Sequence, residues 1–223
     1  MRDELVKKYL TQEIRTFNSE VDNADYPLEW SSNWPRTPWS AGGIEFTPDN
    51  RKFLLYQFLN VKQNTKVIVE IGVSRLYFTD GITFNTNQIL LNNTSTNILI
   101  KNKKPETLYL GIDIEDKSFL HDLGPNIYTL QSPSENYEAV NNKFNQLGIT
   151  QIDFLFIDGW HSINQVIDEL WYVQFMKPGS VIGFHDVNFH PGPYNVFNNL
   201  NPKLFKTTNF NTPDWGIGFA QVL

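Results

Sequence analysis

The sequence predicts an α/β protein built on a Rossmann-like, open and mostly parallel sheet, with helices on both faces and a closing antiparallel strand, in a single domain. Three observations carry that prediction. Five short apolar runs, rich in β-branched residues, each end in polar or acidic residues, the pattern of strands buried on both faces. An amphipathic stretch separates the fourth run from the fifth, so strand, helix and strand follow one another and imply a right-handed crossover. The 223 residues show no internal repeat and suffice for one sizeable core without metal or disulfide staples.

In chain order, Leu5, Tyr9, Leu10, Ile14 and Phe17 keep close to helical spacing and predict an amphipathic helix over 3–17. The proline- and glycine-containing stretch 22–43 reads as a loop, and its Tyr26, Trp30, Trp34 and Trp39 suit either a substrate lid or rings that pack the loop down. In "TPDNRKFLLYQFLN", Thr47 as N-cap and Pro48 as first helical residue mark a helix start. These segments make 1–60 an N-terminal helix and aromatic-rich cap ahead of an α/β core at 61–223. The strand candidates are "KVIVEIGVS" (66–74), "TLYLGIDIED" (107–116), "NIYTLQS" (126–132), "IDFLFIDG" (152–159) and "SVIGFHDV" (180–187), the last introduced by the turn "KPGS". "SINQVIDELWYVQFM" starts a helix with Ser162 and Gln165 in capping-box spacing, and "PDWGIGFAQ" reads as the closing antiparallel strand.

Composition narrows the function classes. At 40% hydrophobic and 14% aromatic residues the chain is too apolar for disorder, and no segment approaches the roughly 20 apolar residues of a membrane span. A net charge of -6 argues against general affinity for nucleic acid or an anionic membrane and favours a small-molecule partner. Charges scattered through "MRDELVKKYLTQEIRTF" are unlike a secretory signal, which with the absence of cysteine points to the cytoplasm. Without cysteine, any metal must be held by oxygen or imidazole. Self-association is left open.

In sheets of this kind ligands bind beyond the carboxyl ends of the strands, near the switch in strand order. Polar residues stand at those ends: Glu70 and Gly72, Asp113, Ser132 and Ser134, Asp158 and His161, His185 and Asp186. Each alone can cap a helix or satisfy a loop carbonyl. Five strands ending this way point to a site.

The motifs "VIVEIGVS", "YLGIDIED", "FIDGWHS" and "GFHDVNFHPGP" resemble the class I S-adenosylmethionine-dependent methyltransferases over about residues 50–223, in the branch of small-molecule and sugar O-methyltransferases. The resemblance implies methyl transfer from S-adenosylmethionine to a hydroxyl of a small molecule, with a sugar as one acceptor class. It implies cofactor contacts from Glu70, Gly72, Ser74, Asp113, Ser132, Ser134 and Asp158, with Asp113 accepting from the ribose hydroxyls, a task that suits a carboxylate's two oxygens. Two departures stand out. Only Gly72 keeps the register of a loop that usually carries two or three glycines, and Ser132, Pro133 and Ser134 replace the usual adenine-reading acid.

The metal-dependent members hold magnesium with acids at the fourth and fifth strand ends, here Asp158 and Asp186, and Asn188 or His185 stands in for the third ligand. A metal-free route uses His161 as base beside Asp158, an imidazole's ordinary pKa near 6.5 suiting proton acceptance. His185 and His190 are weaker bases, and the ring of His190 in "HPGP" reads as packing in a rigid turn. Asp214 and Trp215 suit either an acceptor pocket or fold closure. Two alternatives remain: a binding protein of this fold without catalysis, and a metal-dependent hydrolase using Asp158, His161, His185 and Asp186. A dinucleotide oxidoreductase is disfavoured because no G-x-G-x-x-G follows the first strand.

Overall fold

The computed structural model describes residues 1–24, 48–73, 78–79, 82–83, 94–210 and 215–223. The aromatic loop with Tyr26, Trp30, Trp34 and Trp39, the Thr47 cap, Ser74 and Asp214 lie outside the described residues.

Strands β1 (Val67–Ile71), β2 (Leu108–Asp113), β3 (Ile127–Gln131), β4 (Ile152–Ile157), β5 (Met176–His185), β6 (Phe205–Phe210) and β7 (Ile217–Val222) form one sheet in the order β3-β2-β1-β4-β5-β7-β6. From β1 to β5 every neighbouring pair is parallel, while β7 runs antiparallel to both β5 and β6. The chain therefore winds outward from β1 to β3, returns to the other side of β1 at β4, and opens a switch point between β1 and β4.

Burial explains why the first five strands are apolar runs. All six residues of β4 are buried, and Phe154, Leu155 and Phe156 are fully enclosed. Each such side chain contributes about 1.5–3 kcal/mol relative to exposure. Two cores flank the sheet. One packs Leu5, Val6 and Tyr9 of α1 (Arg2–Tyr9) with Val140 and Phe144 of α5 (Tyr137–Leu147), Val166 and Ile167 of α6 (Ile163–Glu169) and Val196 of α7 (Pro191–Asn198). The other packs Leu54 and Phe58 of α3 (Pro48–Val61) and Leu99 of α4 (Ser95–Asn102) against Ile68, Phe154 and Phe156. A single-turn helix α2 (Ser19–Asp22) follows α1.

Three boundaries differ from the sequence expectation. The N-terminal helix stops at Tyr9 rather than 17, because Leu10 turns extended and bridges to Leu200 while Thr11 N–H donates to Asn199 O. The "KPGS" segment lies inside β5 as an irregularity: Ile152 pairs with Met176 and Phe154 with Val181, and Gly179 at φ +92 supplies the bend. Strand β6, "FKTTNF", was not anticipated, since an edge strand with four exposed residues in a row lacks the apolar signature. Ser162 caps α6 as expected, its Oγ accepting from Gln165 N–H at 3.2 Å, but the Gln165 side chain reaches Ser134 and Glu135 instead of closing the box.

Candidate active site

The cofactor-side residues are assembled by the sheet itself. Beyond the strands the ladder continues through Gly72 N–H to Ile112 O (3.0 Å), Ser132 N–H to Asp113 O (2.8 Å) and Asp158 N–H to Ile71 O (2.8 Å), so four strand ends form one rim. Gly72 has φ +78, and a Cβ there would stand 2.0 Å from Asp158 O; only glycine lets these two strand ends close on each other. Asp113 accepts from Val73 N–H through Oδ2 and from Glu115 N–H through Oδ1, both at 2.8 Å, which fixes the carboxylate and leaves about half its lone pairs for other donors. Beside it Ile114 is 70% exposed, an apolar surface on the same rim. The Ser132 hydroxyl is buried and has no hydrogen-bond partner among the described residues. An orphaned hydroxyl, a fixed carboxylate and a bare isoleucine on one rim suit a ligand that is part polar, part flat and apolar. These residues fit a nucleoside.

Two other expected cofactor residues are spent internally. Glu70 is fully buried; its carboxyl accepts from Ser95 Oγ at 2.6 Å and from the Tyr109 hydroxyl, and burial pushes its pKa up to about 7. Ser134 donates to Glu169 Oε1 at 2.9 Å and accepts from Gln165 Nε2 at 2.7 Å. Glu169 itself escaped the sequence reading. It is buried, its Oε2 has no partner among the described residues, and burial raises its pKa to about 8 despite the hydrogen bonds from Ser134 and Gln165.

At the ends of β4 and β5 the acids and histidines converge. His185 Nδ1 lies 2.9 Å from Asp158 Oδ1 and 3.2 Å from Asp186 Oδ2. His161 Nε2 lies 3.1 Å from the same Asp186 oxygen and 3.7 Å from Asp158 Oδ1. His190 Nε2 approaches that oxygen to 3.9 Å, and its ring centroid is 4.3 Å from that of His161. The site residues Asp158, His161, His185 and Asp186 are thus brought together, and His190 joins them. The expectation that His190 only packs in a rigid turn is corrected: "HPGP" opens α7 with Pro191 in its first turn, and Gly192 N–H donates to His161 O at 2.7 Å. A Cβ at Gly192 would lie 2.3 Å from Ser162 O, so this helix start presses directly on the His161 loop.

Charge follows from this geometry. Burial would lower the His185 pKa, but Asp158 and Asp186 outweigh it and hold the imidazole well above its ordinary value. Burial alone would raise Asp186; the surrounding His185, His161 and His190 instead hold it well below the usual carboxylate range. Asn50 Nδ2 lies 3.1 Å from His185 Nε2 and donates to it when that ring nitrogen carries no proton.

The donor set does not match magnesium, which takes oxygens in octahedral geometry and keeps several waters. Here imidazole nitrogens stand between the two carboxylates. Asn188, the third expected oxygen ligand, has its amide against Gly216, where a Cβ would meet its Cγ at 2.4 Å, and its N–H donates to Trp215 O. Trp215 closes one side of the site, 5.3 Å from His190 and 5.9 Å from the partly exposed Phe189 between ring centroids.

No protein-family model matches the chain, and no curated protein matches it in sequence. Among solved structures it is similar to the mycinamycin-pathway methyltransferase MycE in complex with Mg and SAH, at TM-score 0.54 and 14% identity over 81% of this chain and 53% of that one. This chain therefore spans about half the length of MycE. It is also similar to CalS11, a TDP-rhamnose 3'-O-methyltransferase of calicheamicin biosynthesis, at TM-score 0.54 and 12% identity over 91% of this chain and 90% of that one. The fold is that of the class I S-adenosylmethionine-dependent methyltransferases.

Proposed function

We propose that the protein transfers a methyl group from S-adenosylmethionine to a hydroxyl of a small molecule, with a sugar as the favoured acceptor class. The observation that carries this reading is the pairing of two rims on one sheet edge: Gly72, Asp113, Ile114 and Ser132 on the nucleoside side, and Asp158, His161, His185 and Asp186 beside them. Support also comes from the fold neighbours MycE and CalS11, both methyltransferases and the second a TDP-rhamnose 3'-O-methyltransferase. A fold alone does not define function, so the site bears the weight.

When bound, S-adenosylmethionine supplies an electrophilic methyl on a sulfonium. The chain does the rest. Asp113 accepts from ribose hydroxyls, Ser132 Oγ makes the hydrogen bond it lacks, and Ile114 covers the base. His161 takes the acceptor's hydroxyl proton on Nδ1, while its Nε2–H faces Asp186 Oδ2 at 3.1 Å, whose charge stabilises the imidazolium that results. His185, itself held by Asp158, keeps the Asp186 carboxylate in place. Trp215 and Phe189 offer ring faces on the acceptor side.

Calorimetry with S-adenosylhomocysteine tests the cofactor half. We expect micromolar-range binding that Asp113→Ala removes; a protein that binds neither this ligand nor S-adenosylmethionine is not a methyltransferase. A panel of nucleotide sugars with radiolabelled methyl donor then tests the acceptor.

A further inference from the structure

We propose that His161 Nε2, Asp186 Oδ2 and His190 Nε2 form one face of a binding site for a divalent cation of the zinc class, which prefers imidazole to oxygen ligands. The proposal goes beyond methyl transfer and does not depend on it. It differs from the two-acid magnesium site that the sequence resemblance implies, both in its ligands and in the ion it selects.

The geometry supports it first. The three ligand atoms lie within 4.8 Å of one another. Two ligands bound to one tetrahedral zinc at 2.0–2.1 Å stand about 3.3 Å apart. His161 Nε2 and Asp186 Oδ2 are at 3.1 Å already, and His190 Nε2 is slightly wide at 3.9 Å. Two imidazoles and one carboxylate on one side of an ion leave its other positions open, an arrangement common to zinc and non-haem iron but unsuited to magnesium.

The backbone that carries the three ligands is fixed by hydrogen bonds. His161 O accepts from Gly192 N–H, His190 N–H donates to Asp186 O at 3.3 Å, and Asp186 N–H donates to Gly216 O at 2.9 Å. His185 Nδ1 holds the liganding oxygen of Asp186 at 3.2 Å and is itself held by Asp158. Asp186 adopts φ +61, a left-handed conformation costly for a residue other than glycine, which aims its carboxylate between the two rings. The Trp215 ring lies beside His190, 5.3 Å between centroids. An ion on His161 Nε2 leaves the ring proton on Nδ1, with no lone pair to accept another, so metal occupancy and proton acceptance exclude each other.

The test uses full-length protein stripped with a chelator and titrated separately with zinc, cobalt and magnesium ions. Micromolar zinc should raise Tm by several degrees, cobalt should develop a visible ligand-field absorption that zinc displaces, and millimolar magnesium should do neither. His190→Ala and His161→Gln, each checked for folding by circular dichroism, should weaken zinc and cobalt binding at least tenfold. His121→Ala, which alters a histidine whose ring meets Thr129 elsewhere on the surface, should leave binding unchanged. The proposal is overturned if magnesium stabilises the protein and zinc does not, if both cluster variants bind zinc as the parent does, or if His121→Ala removes the binding. Calorimetry of the stripped protein with S-adenosylhomocysteine reports separately on the cofactor reading.

Discussion

Glu169 shows what a single residue can hide from its sequence context. It follows Asp168 on a helix, where two adjacent acids read as a solvated face, yet only 1% of it is exposed. The folded protein holds its proton up to about pH 8, whereas the unfolded chain releases it near 4.5. Stability therefore falls as pH rises from about 4.5 to about 8, since the folded state binds the extra proton throughout that window. Glu169→Gln should cancel this component: the stability difference between variant and parent grows through the window and reaches roughly 2–4 kcal/mol at pH 9. Urea denaturation at pH 5, 7 and 9 measures it, and a difference independent of pH would mean that the carboxyl is ionised throughout. His190 was obscured for another reason. Its partners His161 and Asp186 come from two other segments, and nothing in "HPGP" announces a helix start docked against a strand-end loop.

Elements were legible where burial imposes a pattern. Strands β1, β2, β4 and the second half of β5 showed as apolar runs because parallel strands inside the sheet have almost no solvent face. The edge strand β3 is only partly buried, and the polar residues at the strand ends marked the rim of the site. The pattern misled where the chain leaves an element without leaving the core. Leu10 stays buried after α1 has ended, and Ile14 packs partly against the same core, so helical spacing outruns the helix itself. Helix α6 matters most to the site, because its N-terminus follows His161 directly. Ser162→Ala removes the acceptor for Gln165 N–H and should cost about 1 kcal/mol. Ser162→Asp, which restores a capping oxygen, should recover most of that loss in thermal unfolding. Equal losses in both variants would show that packing of the hydroxyl, not capping, sets the cost.

For the molecule as a whole, ligand binding and stability are one measurement. A ligand that binds only the folded state at one hundred times its Kd stabilises by about 2.7 kcal/mol. Saturating S-adenosylhomocysteine should therefore raise Tm by several degrees in the parent and not in Asp113→Ala. An equal rise in both would remove Asp113 from the ligand site. Among the described residues, no helix is long and apolar enough to cross a membrane.

The reversed strand β7 has a consequence of its own. Because it runs against β5, its entrance rather than its exit meets the site, and Trp215 and Gly216 are clipped to Asn188 and Asp186 by backbone hydrogen bonds. On the proposed reading the donor rim is drawn from residues 70–132 and the acceptor rim from 158–216, and Asp158, whose carbonyl abuts Gly72, is their seam. On the proposed reading, the two rims are free to diverge separately. A lineage can exchange one acceptor for another through the segment entering β7 while the nucleoside rim stays untouched, so swapping that segment between related enzymes should carry acceptor preference with it.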